Sequence, residues 1–193
     1  MPAQEDLFRT ACSLPRLAVS SLSGGGGKTL LSLGLAGALT ERGLEVVPFK
    51  KGPDYIDAAW LAAAAGRPSS NLDPFFLSSG RLRSLFVHQA SRTASPVALA
   101  EGRCLALVEG NRGLYDGMDL EGSCSTAALA RDLDAPVLLS LNATARVKGD
   151  ILINKLSIEP GVVFTGKCRM LDEVRQQQEA EAAAAAAPAE EEE

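Results

Sequence analysis

A single histidine, His88, and four cysteines are all that 193 residues supply of soft metal ligands and thiol nucleophiles. Cys12, Cys104, Cys124 and Cys168 are widely spaced and include no Cys-x-x-Cys pair, so neither a zinc site nor a disulfide scaffold is indicated. His88 follows Leu85-Phe86-Val87 and reads as a helix-surface or core histidine. Cys124, in Gly-Ser-Cys-Ser, reads as a small residue in a tight turn ahead of a reactive thiol. No apolar run is long enough to span a bilayer. Met1 to Ser13, with Glu5 and Asp6, does not resemble a secretory signal. A strong basic excess is also lacking. From Asp172 onward eight acidic residues face one arginine, Arg175, so this segment carries −7 of the net −5 and leaves Met1 to Leu171 at +2. That surplus suits anionic small molecules and is too weak and dispersed for nucleic acid.

With 46% hydrophobic content, the chain is expected to form one cytosolic α/β domain, with neither membrane nor nucleic acid as a partner. Residues 1–14 are set apart as a flexible terminus. Residues 172–193, with the Ala182 to Ala187 run, are a low-complexity acidic tail with no assigned chemistry. Between them, short apolar runs alternate with helix-like segments, the pattern of a three-layer parallel sheet covered on both faces. Strands are expected at Leu17 to Leu22, Val46 to Phe49, Leu105 to Val108 and Val137 to Leu141. Helices are expected at Thr29 to Arg42, Ala58 to Ala65, Arg81 to Ala90 and Ser125 to Leu133. The first helix is apolar nearly all round, as if buried on every side, and Gly43 is its C-terminal cap.

Ser23-Gly24-Gly25-Gly26-Gly27-Lys28-Thr29 lies between the first strand and the first helix. Glycines let backbone N–H groups converge on phosphate oxygens, and the helix opening there adds its positive dipole end. Lys28 is placed to reach the β- and γ-phosphates and the Thr29 hydroxyl to ligate Mg²⁺. The strict pattern G-x-x-x-x-G-K-[ST] is missed by one residue, because its frame begins at Leu22. Two more charged loops follow strands. Lys50-Lys51-Gly52-Pro53-Asp54-Tyr55-Ile56-Asp57 follows the second, and Glu109-Gly110-Asn111-Arg112-Gly113-Leu114-Tyr115-Asp116-Gly117 follows the third. Ligands of parallel sheets collect at strand C-terminal ends, so the three loops together indicate one site.

These segments, with Gly66-Arg67-Pro68, Asn71-Leu72-Asp73-Pro74, Gly122-Ser123 and Ala135-Pro136-Val137, resemble the N-terminal ATP-binding domain of the cobyrinic acid a,c-diamide synthase family over about Pro15 to Asn142. That family shares its relaxed phosphate loop with the similar dethiobiotin synthetases. The resemblance implies a dethiobiotin-synthetase-like nucleotide-binding fold, ATP and Mg²⁺ as cofactors, and amidation of peripheral carboxylates of a corrinoid or related tetrapyrrole through an acyl phosphate. It implies that Lys28 and Lys50 neutralise the transferring phosphoryl group and that Thr29 and Glu109 hold Mg²⁺. Asp54 and Asp57 are expected in a metal-linked or substrate-positioning role, Tyr55 and Arg112 at the macrocycle, and Asn154 in an echo of the base-reading pair.

The sequence departs from the family after Asn142, which stands where an aspartate is usual. Six residues separate it from Gly149, too few for a parallel crossover. Ile151 to Ile153 is therefore expected either to pair antiparallel at an edge or to stay out of the sheet, leaving the fold incomplete on its C-terminal side. The glutaminase domain of the family has no counterpart here, so the ammonia source is expected to be ammonium itself or a separate glutaminase subunit, with a homodimer as a further assembly. Two other classes stay open: a non-catalytic nucleotide-binding remnant, and a partitioning-type ATPase switch. Ser23, in place of the signature lysine of such switches, counts against the latter.

Overall fold

Five strands form one all-parallel sheet because the chain repeatedly crosses over through a helix and returns in the same direction. β1 (Arg16–Ser21), β2 (Glu45–Lys51), β3 (Ser70–Leu72), β4 (Cys104–Glu109) and β5 (Val137–Ser140) lie in the order β3-β2-β4-β1-β5. The computed structural model describes residues 14–141, 146–148, 151–153 and 161–170. Among these, no helix is long and apolar enough to cross a membrane.

The two faces of the sheet carry separate cores. α1 (Lys28–Glu41) and α2 (Tyr55–Ala65) cover one face, where Val19, Val46 and Leu107 meet Ala36 and Ala65. α3 (Ser79–Thr93), α4 (Pro96–Ala100) and α5 (Thr126–Asp132) cover the other, where Ala18, Val47, Phe49 and Val108 meet Phe86, Leu99 and Leu129. Successive residues of β2 thus alternate between two apolar layers, which is why the strand reads as a continuous apolar run. β1 leads into α1 on one face and β4 leads toward α5 on the other. A crevice opens between these neighbouring strands at their C-terminal ends.

All four expected strands and all four expected helices are present, with ends shifted by a few residues. β3 and α4 were not anticipated. α1 is less enclosed than its composition suggested: only Lys28, Ser32 and Ala36 are buried, and Leu30 is 79% exposed. The sheet and α2 flank it, and its remaining side faces solvent. Gly43 does terminate it, at φ 83° with its amide donating to the Thr40 carbonyl.

By its contacts the chain divides after Ser140 into two units. In the second, β6 (Arg146–Lys148) pairs parallel with β8 (Val163–Thr165), and β7 (Ile151–Ile153) pairs parallel with β9 (Cys168–Met170). Of the two alternatives for Ile151 to Ile153, the segment takes the one outside the main sheet, and its partner strand is parallel. Asn142 and Asn154 lie outside the described residues.

At the opposite edge of the sheet from the crevice, Glu45 joins β2 to the loops beside it. Its oxygens accept from the Ser95 amide and hydroxyl, each at 2.7 Å, and Arg67 pairs with it at 2.7 Å. Burial opposes the charge, but the Ser95 hydrogen bonds, with Arg67 adding to them, hold the carboxyl below its ordinary value of 4.5. A depressed carboxyl stabilises the fold fully above its unfolded pKa and loses that contribution as pH falls through its folded value. Glu45→Gln is expected to cost about 1–3 kcal/mol near neutral pH. Urea unfolding at a series of pH values should show the gap to wild type closing as the solution is acidified past the ordinary carboxyl range.

Candidate functional site

The phosphate loop connects β1 to α1 and is shaped around Ser21. Gly26 passes so close that a Cβ there would stand 2.5 Å from the Ser21 Cβ. Gly25 and Gly27 adopt φ of 73° and 77°, the left-handed region that disfavours side chains. Gly24 has neither constraint, since a Cβ there would meet nothing within 4 Å. Lys28 is buried and folds back over the loop, donating to the Ser21 hydroxyl at 2.8 Å and the Ser23 carbonyl at 3.2 Å. Burial lowers its pKa, Lys50 lowers it further, and Glu109, Asp116 and Asp57 oppose the shift.

Behind the loop lies a buried charge cluster set by sheet register. Lys50 and Glu109 are side-by-side partners on β2 and β4, and Glu109 is also the partner of Val19 on β1. Their side chains consequently emerge on the same face, below α1. Lys50 Nζ donates to Glu109 Oε1 at 2.9 Å, Asp57 Oδ2 at 2.7 Å and the Gly110 carbonyl at 3.2 Å. The Thr29 hydroxyl donates to Glu109 Oε1 at 2.7 Å and lies 3.4 Å from Asp57 Oδ2. Glu109 is fully buried, Lys50 is 2% exposed, and Asp57, at 25%, is the open side of the cluster. Burial alone would lower Lys50, but hydrogen bonds to Asp57 and Glu109 outweigh it and raise its pKa above the ordinary lysine value. Burial would raise Asp57, yet Lys50 holds it below the ordinary carboxylate range.

Glu109 Oε2 is buried and has no hydrogen-bond partner. Two carboxylates against one ammonium leave the trio of Lys50, Asp57 and Glu109 with a net charge of −1, one positive charge short of neutrality. An orphaned carboxylate oxygen in that setting, beside a threonine hydroxyl at the start of a phosphate-loop helix, fits a divalent cation arriving with a triphosphate. Among the described residues no group of three or more His, Cys, Asp or Glu side chains gathers as a self-sufficient metal cage.

The other expected site residues are distributed around this centre. Asp54 caps α2, its Oδ1 accepting from the amides of Ile56 and Asp57 at 3.1 Å each. It thus starts the helix that brings Asp57 to Lys50. Tyr55 opens the same helix and is 78% exposed. Arg112 is exposed, takes φ 55°, and lies across the strand ends in a second pocket with Lys51. Sequence reasoning missed Ser21, the partner of Lys28. It also missed Asn71, whose amide donates to the carbonyls of Gly52 at 2.6 Å and Asp54 at 3.0 Å and so pins the loop after β2. Asn71 was visible within Asn71-Leu72-Asp73-Pro74, but nothing in its own residue type signalled a bracing role. The loop after β4 is tied back to the phosphate loop: the Leu114 amide donates to the Ser21 carbonyl at 2.7 Å, and Gly113 backs onto the Leu22 carbonyl where no Cβ would fit.

Removing Lys50 alone would strand two carboxylates, one of them with no access to water. Lys50→Met is expected to destabilise the fold by about 3–5 kcal/mol. Adding Glu109→Gln to that variant should recover a substantial part of the loss in denaturant titrations, because the buried charge is then gone. A double variant no more stable than Lys50→Met would show that Glu109 does not depend on Lys50.

The family model described as "CobQ/CobB/MinD/ParA nucleotide binding domain" matches residues 17–157. The chain is 44% identical over 155 residues to the cobyrinate a,c-diamide synthase of Magnetococcus marinus, covering 79% of this chain and 31% of that protein. It is 43% identical over 135 residues to the hydrogenobyrinate a,c-diamide synthase of Streptomyces coelicolor, covering 69% of this chain and 26% of that protein. With the cobyrinate a,c-diamide synthase of Salmonella typhimurium it shares 42% identity over 122 residues, 63% of this chain and 24% of that one. The matched segments thus span between about a quarter and a third of these relatives.

Proposed function

The chain belongs to the CobQ/CobB/MinD/ParA family of nucleotide-binding domains, in its cobyrinate a,c-diamide synthase group, and from that membership we propose that it activates a peripheral carboxylate of a corrinoid for amidation at the expense of ATP. The observation that carries this reading is the buried Thr29–Glu109–Lys50–Asp57 cluster directly behind the phosphate loop.

A carboxylate is a poor electrophile because its charge is delocalised and its oxide leaves badly. Transfer of the γ-phosphoryl group to a carboxylate oxygen gives an acyl phosphate and ADP. Attack by ammonia then forms the C–N bond and releases phosphate. The residues of this chain bind, orient and balance charge rather than form covalent intermediates. The glycine-lined loop and Lys28 would receive the triphosphate. Lys50, already held by two carboxylates, would present a fixed cation toward the transferring group. Thr29 and Glu109 would hold Mg²⁺, which would supply neutralisation of the phosphate charge. Asp57 would position Lys50 and is the solvent-open member of the cluster. The matched segment spans about a third or less of its relatives, and the nitrogen nucleophile of the proposed reaction is ammonia, whatever supplies it. The one histidine, His88, is exposed on α3.

Two measurements test the reading. Lys28→Ala is expected to weaken Mg·ATP binding by at least about tenfold, since the phosphate loses a charge-assisted hydrogen-bond donor, and to abolish ADP formation; unchanged affinity and hydrolysis would defeat the nucleotide assignment. With cobyrinate, Mg·ATP and the full chain, amide followed by mass should appear with ammonium at raised pH and not with glutamine. Product from neither source, with ATP still bound, would favour a binding remnant over a ligase.

A further inference from the structure

β2 ends in two lysines, and strand alternation sends them to opposite faces of the sheet. Lys50 enters the cluster under α1. Lys51, paired in register with Leu72, belongs to the face that carries Phe49 and Leu72. There it lines a separate pocket of about 320 Å³. The Lys51 side chain is 93% buried, yet it has no hydrogen-bond or ion-pair partner among the described residues. Its Nζ is not sealed from solvent, so the ammonium opens into the pocket and is offered to an incoming anion.

The other walls indicate what that anion belongs to. Arg112 adds a second cation with no ion-pair partner among the described residues. Two acids also line the pocket: Asp73 Oδ1 accepts from the Phe75 amide at 2.9 Å and Asp116 Oδ2 from the Gly113 amide at 2.8 Å, and the Asp73 charge acts on Lys51 without a direct ion pair. Phe75, Phe76 and Met118 supply the apolar part and are 61%, 72% and 67% exposed. The two rings meet edge to face with centroids 4.9 Å apart. Cys124, in a turn with φ 58°, closes one side with its thiol donating to the Pro74 carbonyl at 3.4 Å. A cation with no direct ion-pair partner beneath exposed aromatic and thioether groups is complementary to a carboxylate borne on an apolar body.

We propose that this pocket is the acceptor site, in which Lys51 and Arg112 bind one carboxylate while Phe75, Phe76 and Met118 cover the apolar framework that carries it. The inference rests on the ligase reading only for the identity of the acceptor. The chemistry of the pocket stands without it. The volume admits one carboxylate arm and the adjoining ring edge, so the remainder of a large acceptor would lie outside. Lys50 and Lys51 are consecutive residues, about 3.8 Å apart at Cα, and the Gly110–Tyr115 loop bridges the two sites. A carboxylate presented at the rim therefore lies at the same strand end as the nucleotide site, without sharing its residues.

The test uses the full chain and two small probes, 1-naphthylacetate and its uncharged analogue 1-naphthylacetamide, with binding followed by NMR. The acid should bind more tightly than the amide. Lys51→Met, which removes the charge and leaves the apolar stem, should weaken the acid by at least about tenfold while leaving the amide and Mg·ATP within about twofold. Phe76→Ala, at an exposed position that does not endanger folding, should weaken both probes. Equal binding of acid and amide, or an unchanged affinity of Lys51→Met for the acid, would overturn the proposal. Lys51-dependent binding of naphthylacetate by a protein that ignores cobyrinate would uphold the pocket and remove the corrinoid from the proposed function. Amidation of cobyrinate with the same KM in wild type and Lys51→Met would do the reverse.

Discussion

The buried ammonium of Lys50 is the constraint on which the site depends. Taking Lys50 and Glu109 out of water costs several kcal/mol for each ion, and their attraction repays this only because the geometry is fixed on both sides. Sheet register places the two side chains next to each other, the cap at Asp54 starts α2 so that Asp57 closes the third side, and Thr29 at the head of α1 fills the fourth. Well-packed apolar residues would hold the same strands together at no greater cost. A charge cluster kept at a strand end, with one oxygen of Glu109 left without a partner, is better explained by what it receives than by the stability it lends.

Much of this was legible in the sequence because it follows from residue types at strand ends. Lys28, Thr29, Lys50, Asp57 and Glu109 stand immediately after or before expected strands and helices, and parallel topology brings such positions to one edge. The family and the parallel α/β architecture could be read for the same reason: glycines and charges at fixed offsets from apolar runs leave few alternatives. β3 escaped notice because three residues carry no periodicity. α4 escaped because Ser95-Pro96 is a helix start that five residues barely continue. The enclosure of α1 was overestimated because composition reports how apolar a helix is, and only tertiary packing decides that Leu30 faces outward.

Asp54 and Lys51 show what the structure adds to residue type. Asp54-Tyr55-Ile56-Asp57 has an acceptor at the position before a helix and an acid three residues on, the spacing of a helix start. Its charge drew attention to metal chemistry before its cap did. For Lys51 the error was one of boundary. With the second strand expected to end at Phe49, both lysines belonged to a loop and had no defined direction. The strand runs on to Lys51, and two more residues of period-two geometry are enough to separate their roles.

That separation gives the site its logic. A phosphoryl donor carrying several negative charges and an acceptor carrying its own carboxylate repel one another, and binding both in a single cationic pocket would allow either to occupy the other's place. Splitting the cations across the two faces of one strand avoids this. Lys28 and Lys50 lie on the face of α1, where the loop backbone and the two carboxylates Glu109 and Asp57 make compact and polar surroundings. Lys51 lies on the face of Phe49, where the surroundings are apolar and open at Phe75 and Phe76. On the function proposed above, the distinction between donor and acceptor rests on the environment of each cation rather than on its charge, and both cations leave the one strand β2.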